Sequence, residues 1–221
     1  LRCLLRPNIF PGDLQVMNYA FGSPRKFLYE CIAEDFTAQV LDMPVNYHSV
    51  NIHTGCAVSG AQSALEKISL MSAGAMLGAT QFYCAGSLSL DEIFSPQELI
   101  LDTIRLKQIE DIVSGFELEA PDDLSAMQDE IQGCLNGGFV MSDRTLERHE
   151  DYVNYSPFIN RKQYHAFMNS GGQEMAALAK DEAKKMFVEG HPAVLPLDKI
   201  RALNELYAAA EQQLQKAGEN H

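Results

Sequence analysis

Up to about Glu117 the chain alternates stretches of strand character with capped helices, and this rhythm narrows the accessible folds more than any other feature. Residues 14–19 (LQVMNY) read as the first strand. Gly22-Ser23-Pro24 then opens a helix, with Ser23 as cap and Pro24 at the first helical position, where a missing N–H costs nothing. Apolar Phe27, Leu28, Cys31, Ile32 and Phe36 keep helical spacing to about Leu41. Met43-Pro44 ends that helix, and residues 45–53 (VNYHSVNIH) read as the second strand. A helix from about Gly60 to Leu77 follows, with Ala64, Leu65, Ile68, Met71, Ala75 and Met76 on its apolar side. Residues 79–86 (ATQFYCAG) read as the third strand. Ser95-Pro96-Gln97-Glu98 is a capping box, Ser95 as cap and Glu98 reaching back, and it opens a helix to Ser114 that Gly115 terminates.

Three such units predict an α/β fold with parallel strands and crossover helices. They cannot close an eight-stranded barrel, which needs ~200 residues or more. The choice is between a small open sheet and part of a barrel whose earlier strands lie elsewhere. The chain opens on Leu1 and runs straight into apolar sequence, so it is expected to be a piece of a longer protein. Beyond Glu117 the rhythm stops. A helix is expected from Pro121 to near Gly133, then a short extended piece at 137–140 and a turn capped by Asp143. Two helices over 161–189 and 196–216 are broken at Gly171-Gly172 and at Gly190-His191-Pro192. The last is amphipathic through Ile200, Leu203, Leu206, Tyr207 and Leu214. The expected division is 1–117, the strand–helix part, and 118–221, a mostly helical extension.

Composition excludes several functions. A net charge of −13, with acids outnumbering bases in both halves, argues against a nucleic-acid binder, because phosphate contacts need clustered Lys and Arg. The five cysteines stand singly, with no CxxC, no HExxH and no zinc-ligand spacing. No metal site is expected, and free thiols suit a reducing cytoplasm. With no run of 18 apolar residues and no signal peptide, the expectation is a cytoplasmic protein without a membrane span.

The second strand carries the most chemistry. Val45, Tyr47, Ser49, Asn51 and His53 point one way and Asn46, His48, Val50 and Ile52 the other. The first face turns polar towards the carboxyl end, where parallel sheets and barrels place ligand-contacting groups. His53 therefore either contacts a ligand or caps the loop Thr54-Gly55-Cys56, and Asn51 either orients a substrate or bonds to nearby backbone. Phe82 and Tyr83 end the third strand. They offer aromatic faces for a cation, worth ~0.5–2 kcal/mol each when desolvated, or else belong to the core. Tyr19 and Tyr47 share that ambiguity. Cys56 and Cys84 lack an activating base, and Asp91 and Glu92 read as solvated loop acids.

Residues 78–86 (GATQFYCAG) followed by 94–102 (FSPQELILD) resemble the trimethylamine methyltransferase (MttB-like) family. That family has a Gly-Ala strand ending in an aromatic–x–Ala-Gly turn, then a Phe-Ser-x-Glu-Gln-Leu-x-x-Asp helix. Phe21-Gly22-Ser23-Pro24, residues 60–67 (GAQSALEK), Thr145-Leu146 and the Phe158–Tyr164 stretch are similar to its other landmarks, so the likeness covers most of the chain. The resemblance implies the carboxyl-terminal portion of a TIM (β/α)8 barrel followed by a helical tail. It implies methyl transfer from a methylated amine to the cobalt of a corrinoid on a separate partner protein, with no cofactor tightly bound. Substrate contacts then fall to Asn51, His53 and Tyr83, with Phe82 as a wall.

Two departures sharpen the donor. Trimethylamine enzymes carry pyrrolysine in a loop corresponding to Thr54–Ser59, which here reads Thr-Gly-Cys-Ala-Val-Ser, and Gly60 stands where members commonly show Asp before Ala-Gln. Members without pyrrolysine resemble betaine methyltransferases, so a quaternary or tertiary, betaine-like amine is the expected donor. The competing reading is a noncatalytic binding or assembly module. A metal-dependent barrel hydrolase is disfavoured by the missing ligand cluster. A truncated sheet would also favour homo-oligomers through its extra apolar surface.

Overall fold

The computed structural model describes residues 9–42, 47, 49–115, 124–150, 153, 155–190 and 195–218. They form a mixed α/β chain that is mostly helical with few short strands, and among them no closed barrel is seen. The chain makes two compact units, Leu1–Ala183 and Lys184–His221. The expected breaks at Met43-Pro44, Glu117 to Asp123 and His191-Pro192 lie outside the described residues.

The helices of the first half follow their sequence signals. α1 (Pro24–Leu41) starts on Ser23, whose hydroxyl accepts the Arg25 N–H, with Pro24 at its first position. It ends on Asp42, left-handed at φ 50. α2 (Ala61–Met76) and α3 (Pro96–Ser114) also lie where the spacing predicts. Ser95 caps α3 by accepting the Glu98 N–H at 3.2 Å. The capping box is only half made, however. Glu98 does not reach back; it is wholly buried among charges, and the Ser95 N–H donates to Gly86 O instead.

The strands differ more. β1 (Gly12–Asp13) and β2 (Asn18–Tyr19) form a small antiparallel hairpin, so residues 14–17 are its turn rather than part of a parallel strand. The Asp13 carboxylate accepts the Gln15 N–H, a local bond that competes with extension. β3 (Ser49–Asn51) and β4 (Gln81–Tyr83) do pair in parallel, with Asn51 opposite Tyr83. Residues 45, 46 and 48 of the expected second strand lie outside the described residues. β5 (Ser87–Leu88) and β6 (Ile93–Phe94) make an antiparallel hairpin not foreseen in the loop before α3.

The core gathers Val50 and Ile52 beneath Leu70, Met71 and Ala75 of α2, with Ala79 and Ile109. α1 buries Lys26, Glu30, Ala33, Glu34 and Ala38; of its expected apolar face Phe27 packs against the core and Cys31 is half-buried, while Leu28, Ile32 and Phe36, with Val40, stay exposed as an i, i+4 ridge. Burying charges is tolerable because Lys26 and Glu30 pair at 3.2 Å.

The later residues are helical: α4 (Leu124–Gly137), α5 (Asp143–Arg148), α6 (Tyr164–Asn169), α7 (Met175–Glu189) and α8 (Leu197–Gly218). α4 runs past Gly133, and the expected extended piece is a 3-10 turn over Phe139–Met141. Ser142, one residue before Asp143, supplies the α5 cap by accepting the Thr145 N–H. The α7 start is fastened to α3 through Gln97, whose amide donates to Ala176 O at 2.7 Å. No helix among the described residues is long and apolar enough to cross a membrane.

Candidate functional site

Parallel pairing of β3 with β4 places Asn51 beside Tyr83 and Ser49 beside Gln81 on one face. Alternation sends Val50 and Phe82 to the other face. Phe82, half-buried, is packed against the apolar core, the face opposite Asn51 and Tyr83. Tyr83 is half-exposed, its hydroxyl donating to the Gln81 side chain at 2.6 Å.

His53 follows two residues beyond Asn51 and is 9% exposed. Its ring stacks on Phe21, centroids 4.9 Å apart at 27°. Phe21 stacks in turn on Tyr19 at 5.5 Å and meets Phe10 edge-on at 4.5 Å. Beside this aromatic group lies Lys26, from the first turn of α1 and wholly buried. Its ammonium donates to Asn51 O at 3.1 Å and stands 5.7 Å from the Phe10 ring centre. The site is therefore a polar and aromatic wall at the carboxyl end of β3, built by β3, β4, the β1–β2 hairpin and the start of α1.

Burial pushes the His53 imidazole below its ordinary pKa, Lys26 adds to the shift, Lys67 adds less, and Asp91 opposes them. The ring is neutral at pH 7, and its Nδ1 is buried with no hydrogen-bond partner among the described residues. Since the unfolded chain takes up this proton near pH 6.5, the stability gained by keeping His53 neutral is present above that pH and lost as pH falls below it. His53→Gln is expected to flatten the loss of stability between pH 7 and 5, by up to about 1.4 kcal/mol per pH unit. Paired urea titrations across that range read the difference; parallel curves would refute it.

The loop after β3 is fastened on two sides. Thr54 Oγ1 and the Gly55 N–H both donate to Glu66 Oε2, at 2.5 and 2.9 Å, while Gln62 donates to Oε1. Gly22 is needed above that carboxylate, for a Cβ there would lie 2.0 Å from Glu66 Oε2. On the other side, Leu90 N–H donates to Thr54 O and Ser89 N–H to Cys56 O, both at 2.8 Å. Ser89, Leu90 and Cys84 all take left-handed conformations, at φ 49, 70 and 70, which side chains other than glycine resist. Burial raises the Cys84 thiol pKa, with Asp91 adding to the effect, so it is a poor nucleophile. The Cys56 thiol donates to Val58 O. Among the described residues no three His, Cys, Asp or Glu side chains are grouped as metal ligands.

Of the residues named from sequence, Asn51 and Tyr83 stand side by side, His53 follows two positions on and stacks on Phe21, and Phe82 lies on the core face. Sequence reading missed Phe10 and Lys26 and gave Phe21 no chemical role. Lys26 carried a signal in its i, i+4 partner Glu30, but that pair reads equally as a solvated face. Phe10 carried none, since its contacts depend on the β1–β2 hairpin.

A family model described as trimethylamine methyltransferase (MTTB) matches residues 12–215. No curated protein matches the chain.

Proposed function

The chain belongs to the trimethylamine methyltransferase (MTTB) family, and from that premise we propose that it moves a methyl group from a quaternary or tertiary, betaine-like amine to the cobalt of a corrinoid on a separate protein. The observation that carries this reading is the juxtaposition of Asn51, Tyr83 and a neutral His53, backed by Phe21, at the carboxyl end of two parallel strands. Such an edge suits a methylated ammonium. Aromatic faces attract the cation, carbonyl and amide oxygens orient it, an uncharged imidazole does not repel it, and the Lys26 charge at the site is paired with Glu30. On this reading the strand pair belongs to the carboxyl-terminal part of a barrel completed by other sequence.

The chemistry asks little more of the protein. Cobalt(I) supplies the electron pair for the new Co–C bond, and the C–N pair leaves with the nitrogen, so a quaternary ammonium departs as a neutral amine. With a quaternary donor no proton need move; a tertiary amine must carry a proton on its nitrogen, so that it leaves as the neutral secondary amine. The work is to bind the cation and aim one methyl group outward at the acceptor, which is orientation rather than acid–base catalysis. The standard residues of the Thr54–Ser59 loop support a quaternary donor over trimethylamine itself.

The test is incubation of the full-length protein with its corrinoid protein, reduced to cobalt(I), and a panel of betaines and methylamines, following the cobalt absorption spectrum. Methylcobalt is expected with at least one quaternary amine. Its absence with every donor overturns the proposal.

A further inference from the structure

Beneath the site, the first halves of α2 and α3 bury four charges together. Lys67 and Glu98 are wholly inaccessible, Asp102 is 1% exposed and Arg105 7%. Lys67 Nζ lies 2.6 Å from Asp102 Oδ2 and 3.3 Å from Glu98 Oε1; Arg105 Nη1 lies 2.6 Å from Asp102 Oδ1 and 2.5 Å from Glu98 Oε1. Two cations and two anions balance. Such clusters seldom add net stability over well-packed apolar residues, because desolvating the charges offsets their attraction. Their geometry is specific, however, and two of these partners lead out of the cluster.

The first leads to the turn after Tyr83. Asp102 Oδ2 accepts the Gly86 N–H at 2.8 Å, and the Gly86 carbonyl accepts the Ser95 N–H at 2.8 Å. Both sides of this residue are thus held by α3 and its cap. Gly86 is left-handed at φ 79 and has no room for a Cβ, which would lie 2.8 Å from the Phe94 ring. Between Tyr83 and Gly86, Cys84 is also left-handed, its carbonyl held by the Ser87 hydroxyl at 2.7 Å. The second lead is Glu98, whose Oε2 lies 3.5 Å from Ser63 Oγ; that hydroxyl also bonds the Gly60 N–H, at the foot of the 54–60 loop.

We infer that Asp102 is a positioning residue for the site: through the Gly86 amide it fixes the turn that aims Tyr83 beside Asn51 and His53, while Lys67 and Arg105 hold its carboxylate in place. In its catalytic consequence the inference rests on the methyl-transfer reading above. Its structural core does not. Asp102→Asn keeps the size and shape of the side chain but removes the charge that the two cations and the Gly86 amide share. Leu101→Ala is the control, because it opens a cavity on the same helix and leaves the Asp102 carboxylate and its bond to the Gly86 amide in place; Leu101 is 4% exposed.

In the full-length protein, Asp102→Asn is expected to speed amide exchange at Gly86 and Ser87 tenfold or more relative to the α1 and α2 amides. It should also lower kcat with the best donor about tenfold or more, beyond what the same loss of Tm causes in Leu101→Ala. The unaltered protein supplies a measurement independent of the variant's folding: its Gly86 amide is expected to exchange as slowly as the α2 and α3 amides, because Asp102 holds it. Fast exchange at Gly86 in the unaltered protein, unaltered exchange at Gly86 in Asp102→Asn, or kcat losses that merely follow Tm in both variants would overturn the inference. If the wild type transfers no methyl group to cobalt, the functional reading falls, and Gly86 exchange still decides the role of Asp102.

Discussion

Lys67→Met is expected to cost the fold about 3–5 kcal/mol, the typical penalty for removing one partner from a buried ion cluster. Glu98 and Asp102 would then share Arg105 alone, and the cluster would carry one uncompensated negative charge away from water. Adding Glu98→Gln restores neutrality, so the double variant should regain part of the loss even though it removes another hydrogen-bonded group. That reversal separates a charge effect from simple loss of packing, because a packing account predicts two additive penalties. Against a total stability of about 5–15 kcal/mol, the single variant is close to the folding threshold. Urea unfolding of the three proteins reads the outcome, and a Lys67→Met variant as stable as wild type would refute it.

The same cluster governs the acid limb. Burial alone would raise the Glu98 pKa, but the neighbouring Ser59 hydroxyl, the Arg105 hydrogen bond and the nearby charges of Arg105 and Lys67 outweigh it, and the carboxyl sits below its ordinary value. Its contribution is therefore present above about pH 4.5 and is lost as pH falls through the lowered folded value.

What could be read in the sequence was what depends on neighbours in the chain. The caps at Ser23 and Ser95, Pro at the first helical position and the Gly115 stop are local chemistry, and α1 and α3 begin, and α3 ends, accordingly. The alternation along β3 likewise put Asn51 and His53 on one side and Val50 and Ile52 on the other. What failed was decided by partners far away in sequence. Glu98 was read as a capping side chain, yet Lys67, 31 positions earlier, is paired with it inside the fold. Lys26 and Glu30 read as the wet side of α1, yet Asn51 O draws that ammonium inward. Phe82 and Tyr83, adjacent and both aromatic, could be sorted between core and site only once the β3–β4 register was fixed.

Gly74→Ala is expected to destabilise the protein by about 1–3 kcal/mol, the reverse of what helix propensity alone predicts. Gly74 sits within α2, where alanine normally gains about 1 kcal/mol over glycine. Here a Cβ would stand 2.2 Å from Val50 Cγ2 and 3.3 Å from Val50 Cβ, with Ala79 Cβ at 3.5 Å. Val50 cannot swing away. It is β-branched, 2% exposed and held in β3 between Ser49 and Asn51, so relief requires α2 and the strand to separate. Because Asn51 is the next residue, any such separation also moves the polar face of the site. Val50→Ala removes the obstructing methyl groups, so the pair should couple: the double variant should be more stable than the sum of the two single losses allows, by roughly 1 kcal/mol or more. Thermal and urea unfolding of the four proteins give the cycle. A Gly74→Ala variant with a raised Tm would show that α2 does not lie against β3 at this distance, and the placement of Asn51 beside Tyr83 would lose the packing that enforces it.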